Sequence, residues 1–356
     1  LGLKKTVDIE SYLPPLLKRE HIARIEDNLL LVGDRRKYPW ELTHVACRTV
    51  DDIAKAIRDM VTQGGGPLQV AMTTLRFVAR QIQHGELPDK PNVFIEVANT
   101  LKATRPTNTT MARTLQELVA EIGQWYVCDG MRDVHSDDLV GYVDQIIDRK
   151  EASFDADYDM MSDIGSHLIP DGTGILTTCF AEHTFLLSLA KATQEGKRFT
   201  VYVPETRPYL QGARLTAPSL QAMGLEVFVI TDGMGAHFME TSEIGIYMSA
   251  ADLVTMDGTV VNKVGTLANA ICARHYHIPY HVFAMSPDPT KATRDDIVME
   301  ERDGNEVLRC GSAPTTLATL KGRYPAFDII RNEFVEGIIT PKGWYKPSEI
   351  GKAYRT

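Results

Sequence analysis

Two residues able to do acid–base chemistry, Cys179 and Asp257, each follow a short apolar run in the second half of the chain. The runs are TGILTTCFAEH, TVYVPETRPYLQGARL, VFVITDG, ADLVTMDGTVVNKVGT and YHVFAMSPD. Each is rich in β-formers and ends in a polar or glycine-bearing tip, which is how an open parallel sheet presents functional groups at the carboxyl ends of its strands. This register places a thiol on the first tip and a carboxylate on the fourth, facing one cleft. Asp232, on the third tip, is the reserve carboxylate. A cysteine at a helix start has its thiolate favoured by the helix dipole, and an aspartate in a dry pocket has its pKa raised toward a useful range. His183 stands beside the thiol. It is read either as a group that tunes Cys179 or as a helix-surface residue.

A second group of candidates suits an anion. Gln63-Gly64-Gly65-Gly66-Pro67 opens a helical run, and backbone amides at such a start can cradle a phosphate where missing side chains let it approach. The same residues would also make an ordinary helix–helix turn. Arg105, held by the following Pro106, suits bidentate phosphate binding or a surface ion pair.

The elements that must position these groups follow from periodicity. Residues 25–47 alternate as an antiparallel meander turning at Gly33-Asp34. Thr49 with Asp51 and Asp52 signals a helix start, and Ile53, Ala56, Ile57, Met60 and Val61 recur at helical spacing. After a charged connecting helix near 130–150, Pro170-Asp171-Gly172 introduces alternating strands and helices, including a helix near 235–249 followed by the strand DLVTM. That alternation is the pattern of a doubly wound α/β layer. The expected organisation is a smaller α+β amino-terminal domain, 1–150, and a parallel-sheet domain, 151–356. No Gly-x-Gly-x-x-Gly follows the first strand of that layer, so a dinucleotide is not implied.

Bulk properties narrow the classes. A net charge of −9 with no basic cluster argues against nucleic-acid binding. Five scattered cysteines without metal-ligand spacing argue against a zinc site or a disulfide framework and fit a reducing compartment. No apolar stretch is long enough for a membrane span, and the first residues lack a signal-peptide pattern, so a cytoplasmic protein with no membrane partner is expected.

CRTVDDIAKAIRDMV, the glycine loop, Ala103-Thr104-Arg105-Pro106-Thr107, GILTTC, VPETRPYLQGARLTA, VITDGM, NKVGT and YPAFDII through GIITPKGWYKP occur in order along nearly the whole chain. In these stretches the chain resembles the methylthioribose-1-phosphate isomerases, which share a fold with ribose-1,5-bisphosphate isomerases and the eIF2B regulatory subunits. The resemblance implies a Rossmann-like carboxyl-terminal domain, a homodimer, and a metal- and cofactor-free conversion of an aldose 1-phosphate to a ketose 1-phosphate. It implies Cys179 and Asp257 as the catalytic pair. Gly64, Gly65, Arg105, Gln211 and Lys263 are implied to hold the anion, and Asn262 to orient a sugar oxygen. Glu205 and Arg207 are read as ion-pairing residues that hold their loop or a dimer contact.

Three departures qualify the resemblance. Gln63 replaces the family's arginine, removing a charge-assisted hydrogen bond worth about 1.5–3 kcal/mol if nothing compensates. Phe180-Ala181-Glu182-His183 replaces a run of small residues. The loop carrying Asp257 is short, so Asp257 stands either for the catalytic aspartate or for a later asparagine of that loop. The leading expectation is isomerisation of a 5-substituted ribose 1-phosphate. The alternatives are a ligand-binding regulatory protein related to the eIF2B subunits, or an isomerase of a different sugar.

Overall fold

The computed structural model describes residues 8–105, 109–129, 136–299 and 301–355. Pro106, Thr107 and Asn108, expected to stiffen Arg105, lie outside the described residues, as does 130–135 of the charged connecting run. The chain divides into two units. One contains Pro15–Ala156, and the other Ser11–Pro14 with Asp157–Thr356.

In the first unit α1 (Arg19–Ile22) leads into an antiparallel sheet of β1 (Ala23–Glu26), β2 (Leu29–Gly33) and β3 (His44–Cys47), in that spatial order. The meander is therefore present. α2 (Val50–Arg58) begins where the sequence signals it. The Thr49 side chain accepts from the Asp52 amide and the Asp52 carboxylate accepts from the Thr49 amide, a reciprocal cap worth about 1 kcal/mol. α3 (Gly66–Gln83) follows the glycine loop, and α4 (Pro91–Lys102) and α5 (Thr109–Asp129) complete the helices lying wholly in this unit. α6 (Ser136–Leu168) carries the chain across the boundary at Ala156.

The second unit alternates β4 (Thr173–Leu176), α7 (Glu182–Gln194), β5 (Phe199–Pro204), α8 (Ala217–Ala222), β6 (Val227–Ile230), α9 (Gly235–Glu240) and β7 (Ile246–Ala250). Then come β8 (Leu253–Val254), β9 (Val260–Lys263), α10 (Thr266–His275) and β10 (Tyr280–Phe283). Two short ribbons pair β11 (Glu301–Arg302) with β14 (Tyr324–Pro325) and β12 (Arg309–Cys310) with β13 (Ala313–Pro314). The chain closes with β15 (Phe327–Ile330), β16 (Gly337–Thr340), β17 (Gly343–Tyr345) and α11 (Pro347–Ala353).

The main sheet has the order β17-β16-β10-β7-β4-β5-β6, all parallel except the edge strand β17. Counting its parallel strands along the chain gives 3-2-1-4-5-6, the Rossmann order, with the direction of winding reversing between β4 and β7. The α/β expectation holds.

One strand differs from the sequence reading. The fourth parallel strand is IYMSA, not DLVTM, and the helix expected over 235–249 ends at Glu240. β7 is buried on both faces through Ser249, so it shows no polar alternation by which to distinguish strand from helix. DLVTM supplies only β8, which joins a separate antiparallel sheet of order β15-β9-β8. Asp257 consequently lies on the β8–β9 turn and not on a parallel-strand tip, which corrects its expected place.

Candidate active site

The switch point between β4 and β7 is where an open α/β sheet leaves a crevice beyond its strand ends. Thr177, Thr178 and Cys179 leave β4 there, and Ala251 and Asp252 leave β7. Beneath the tips, Tyr247 and Tyr280 stack with centroids 4.1 Å apart. Tyr247 hydroxyl bonds Thr178 Oγ1 at 2.7 Å, and Tyr280 hydroxyl bonds Ser249 Oγ at 2.7 Å. Asn262 Nδ2 donates to Ser249 Oγ (3.3 Å) and Thr266 Oγ1 (3.1 Å), while Asn269 Nδ2 donates to Thr178 Oγ1 (3.4 Å). Buried polar networks with satisfied groups hold one arrangement firmly, and this one fixes the residues adjacent to Cys179 and Lys263. Asn262 therefore spends its amide hydrogens on protein.

Cys179 has φ 63, a left-handed conformation that is uncommon outside glycine. Its amide donates to Thr206 Oγ1 (3.2 Å) and its carbonyl accepts from Thr216 Oγ1 (2.5 Å). Such backbone costs about 1–3 kcal/mol, and two hydrogen bonds at about 0.5–1.5 kcal/mol each are of the size that offsets it. Glu182, Thr206 and Leu210 are also left-handed, so strain gathers around this tip. Thr216 ends the π-helical turn Gly212–Thr216, which fits because a Cβ on Gly212 would lie 1.8 Å from Pro204 O. The motif QGARLT thus explains itself: it packs against the end of β5 and holds Cys179.

The residue is half-buried, yet its thiol lies deep enough that burial pushes its pKa up to about 11. Lys263 pulls it down, and Asp252 and Glu182 push it further up. The thiol is thus protonated at neutral pH, contrary to the dipole-favoured thiolate expected from its place before a helix. Lys263 is buried, with Nζ 4.6 Å from the centre of the Phe327 ring. Gly265, with φ 102, opens α10, and Asp328 Oδ2 accepts from the Gly265 (2.8 Å) and Leu267 (3.0 Å) amides. NKVGT and PAFD therefore act as one unit, the aspartate of one capping the helix of the other.

The carboxylates sort differently from the sequence reading. Asp257 Oδ1 accepts from Thr255 Oγ1 (2.5 Å) and the Thr259 amide (3.0 Å). Burial alone would raise its pKa, but these bonds outweigh burial and hold it below the usual carboxylate range. This is a turn-forming carboxylate, the opposite of the raised acid expected. Asp232 accepts from the Thr206 (2.7 Å) and Arg207 (2.8 Å) amides and so shapes the loop after β5. Asp252, which sequence reasoning missed, is solvent-exposed at the β7 tip and acts electrostatically on the Cys179 thiol. Recognising IYMSA as the strand would have exposed it.

His183 stacks on Tyr158 (5.0 Å) with Nδ1 3.7 Å from Glu182 Oε2. Arg207 Nη2 donates to the carbonyls of Val307 and Arg309, so it holds its loop through carbonyls. Gln211 is 4% exposed and its Oε1 has no hydrogen-bond partner among the described residues. An orphaned carbonyl oxygen suits a ligand hydroxyl and not an anion.

The anion candidates of the first unit form their own group. Gly64, with φ 60, and Gly65 are exposed, and a Cβ on Gly66 would meet Thr62 Oγ1 at 2.0 Å. Gln63 Nε2 donates to Met60 O (3.3 Å), and Arg105 Nη2 lies 2.6 Å from Met60 Sδ. Arg35, which is 2% exposed, runs beneath the loop and donates through Nη1 to Gln63 O. A cation thus stands at the loop despite Gln63, an arrangement that sequence spacing did not reveal.

A 3-2-1-4-5-6 sheet with a thiol and a carboxylate at its switch point defines a Rossmann-like α/β protein with a candidate site at that point. Residues 65–347 match the initiation factor 2 subunit family, and the chain belongs to that family. A Thermotoga neapolitana protein named methylthioribose-1-phosphate isomerase is 32% identical over 332 residues, 90% of this chain and 93% of that protein. The structure of 5-methylthioribose 1-phosphate isomerase from Pyrococcus horikoshii OT3 matches with a TM-score of 0.79 at 25% identity, covering 98% of each chain. The delta subunit of eIF-2B from A. fulgidus matches with a TM-score of 0.77 at 26% identity, covering 92% of this chain and 96% of that one. The family resemblance carried by the motifs is therefore correct.

Proposed function

We propose that this protein is a sugar-phosphate aldose–ketose isomerase acting on a 5-substituted ribose 1-phosphate such as methylthioribose 1-phosphate. The observation that carries this reading is a neutral thiol at the sheet's switch point within the electrostatic reach of Asp252. An aldose 1-phosphate cannot open by losing an anomeric hydroxyl proton, because that oxygen carries the phosphoryl group. Its ring oxygen must be protonated as the C1–O bond breaks, and a hydrogen must pass from C2 to C1.

In this reading Cys179 donates the proton to the ring oxygen. A thiol held at about 11 retains its proton at neutral pH and so is available as an acid. Asp252 accepts the proton lost from C2 or from the C2 hydroxyl, according to whether hydrogen travels as a proton or a hydride. Lys263 offsets the negative charge that develops on Cys179. A homodimer belongs to the same proposal.

The test is to incubate the protein with methylthioribose 1-phosphate, ribose 1,5-bisphosphate and 5-deoxyribose 1-phosphate and follow ketose formation by NMR. Conversion of one or more is expected; conversion of none would remove the reading. The match to the eIF-2B delta subunit favours a second reading, a non-catalytic ligand-binding protein. It predicts binding without turnover.

A further inference from the structure

Tyr324 is 2% exposed, and its hydroxyl has no hydrogen-bond partner among the described residues. A buried tyrosine normally places its hydroxyl against a partner, so an orphan calls for an explanation. Its position supplies one. Tyr324 pairs across the β11–β14 ribbon with Arg302, whose guanidinium lies 5.2 Å from the centre of the Tyr209 ring, and the Tyr209 and Tyr324 rings are 6.1 Å apart. Tyr209 belongs to the loop after β5, whose Arg207 holds the carbonyls of Val307 and Arg309 in the same excursion. Just beyond Tyr324, Ala326 O accepts from the Val264 amide at 3.2 Å, and Phe327 pairs with Lys263. The residue is thus fastened between the PETRPYLQ loop and the NKVGT strand, the two segments that flank Cys179. Burial pushes the phenol pKa well up, and Cys179 is among the groups acting on it electrostatically.

We propose that the Tyr324 hydroxyl is a substrate-contacting group of the Cys179 site, donating a hydrogen bond to a sugar oxygen. Gln211 Oε1, likewise without a partner among the described residues and at the start of the turn whose Thr216 holds the Cys179 carbonyl, accepts from a neighbouring sugar hydroxyl. A neutral phenol donor and an amide acceptor match a hydroxy-carbonyl or a vicinal diol, which presents both an acceptor and a donor. A sugar bound here would satisfy both of these groups. This inference rests on the isomerase reading for the identity of the oxygen, but not for the contact itself.

The experiment compares wild type with Tyr324→Phe, which removes only the hydroxyl. It measures melting of the free proteins, the melting shift with methylthioribose 1-phosphate, ribose 1,5-bisphosphate and ribose 5-phosphate, and steady-state turnover. The free variant is expected to melt at or above wild type, since no partner is lost. It should lose most of the ligand-induced shift, and kcat/KM should fall about 10²-fold. A variant that loses the shift while neither protein turns over any sugar phosphate keeps the contact and removes the isomerase reading. The proposal is overturned if the variant melts lower with its ligand shift, kcat and KM unchanged, or if wild type is shifted by none of the three probes.

Discussion

Asp252 and Asp257 lie on either side of β8, and their surroundings could hardly differ more. Asp257 has its lone pairs engaged by the Thr255 hydroxyl and the Thr259 amide of its own turn, and its carbonyl is held by Asn332 Nδ2 at 3.0 Å. Asp252 is solvent-exposed at the end of a buried parallel strand and acts on the Cys179 thiol. Asp257 is committed to its turn, whereas Asp252 sits at the solvent-facing end of a parallel strand. Proximity in sequence to a conspicuous motif therefore says less about a carboxylate's role than which strand end carries it.

The largest expected effect breaks or upholds that contrast. Asp252→Asn should lower isomerase kcat by about 10²–10⁴-fold, the range for loss of an acid–base group. Asp257→Asn should leave kcat close to wild type. Steady-state assays on the two variants decide which carboxylate serves the chemistry.

A smaller effect tests the structural half. Asp257→Ala should cost about 1.5–3 kcal/mol of stability, the scale of hydrogen bonds to a charged group, read by urea unfolding near neutral pH. Because the folded pKa lies below the usual value, this contribution is present above the unfolded pKa of about 4. It is lost as pH falls through the folded value, so the gap between wild type and variant should shrink in acid. A gap that widens in acid would reverse the assignment.

The smallest effect concerns His183. His183→Ala removes its stacking on Tyr158 and should cost about 0.5–1.5 kcal/mol, with the pH–rate profile unchanged. A lost limb in that profile would return the imidazole to the chemistry.

Much of this molecule was legible where a signal is local. Thr49 and Asp52 announce a helix start, and NKVGT and PETRPYLQGARLTA mark the site's walls. The α/β alternation gave the sheet. Legibility failed where the decisive information is tertiary. A strand buried on both faces carries no alternation, so IYMSA passed for helix and took Asp252 with it. Arg35 beneath the glycine loop and Tyr324 against Arg302 and Tyr209 are brought to their places by pairing between distant segments. The hydrogen bonds of Asn262 Nδ2 to Ser249 and Thr266 were not legible, because Ser249 becomes its neighbour only in the folded sheet.

Coupling of the Cys179 thiol to Asp252, and not to Asp257, is what separates the two carboxylates. It is tested most directly by the pH dependence of Cys179 alkylation with iodoacetamide, followed by peptide mass spectrometry in wild type, Asp252→Asn and Asp257→Asn. The predicted result is a wild-type midpoint near about 11, a lower midpoint in Asp252→Asn because a negative charge opposing the thiolate is gone, and no change in Asp257→Asn. A midpoint that moves in Asp257→Asn and stays fixed in Asp252→Asn would contradict the account.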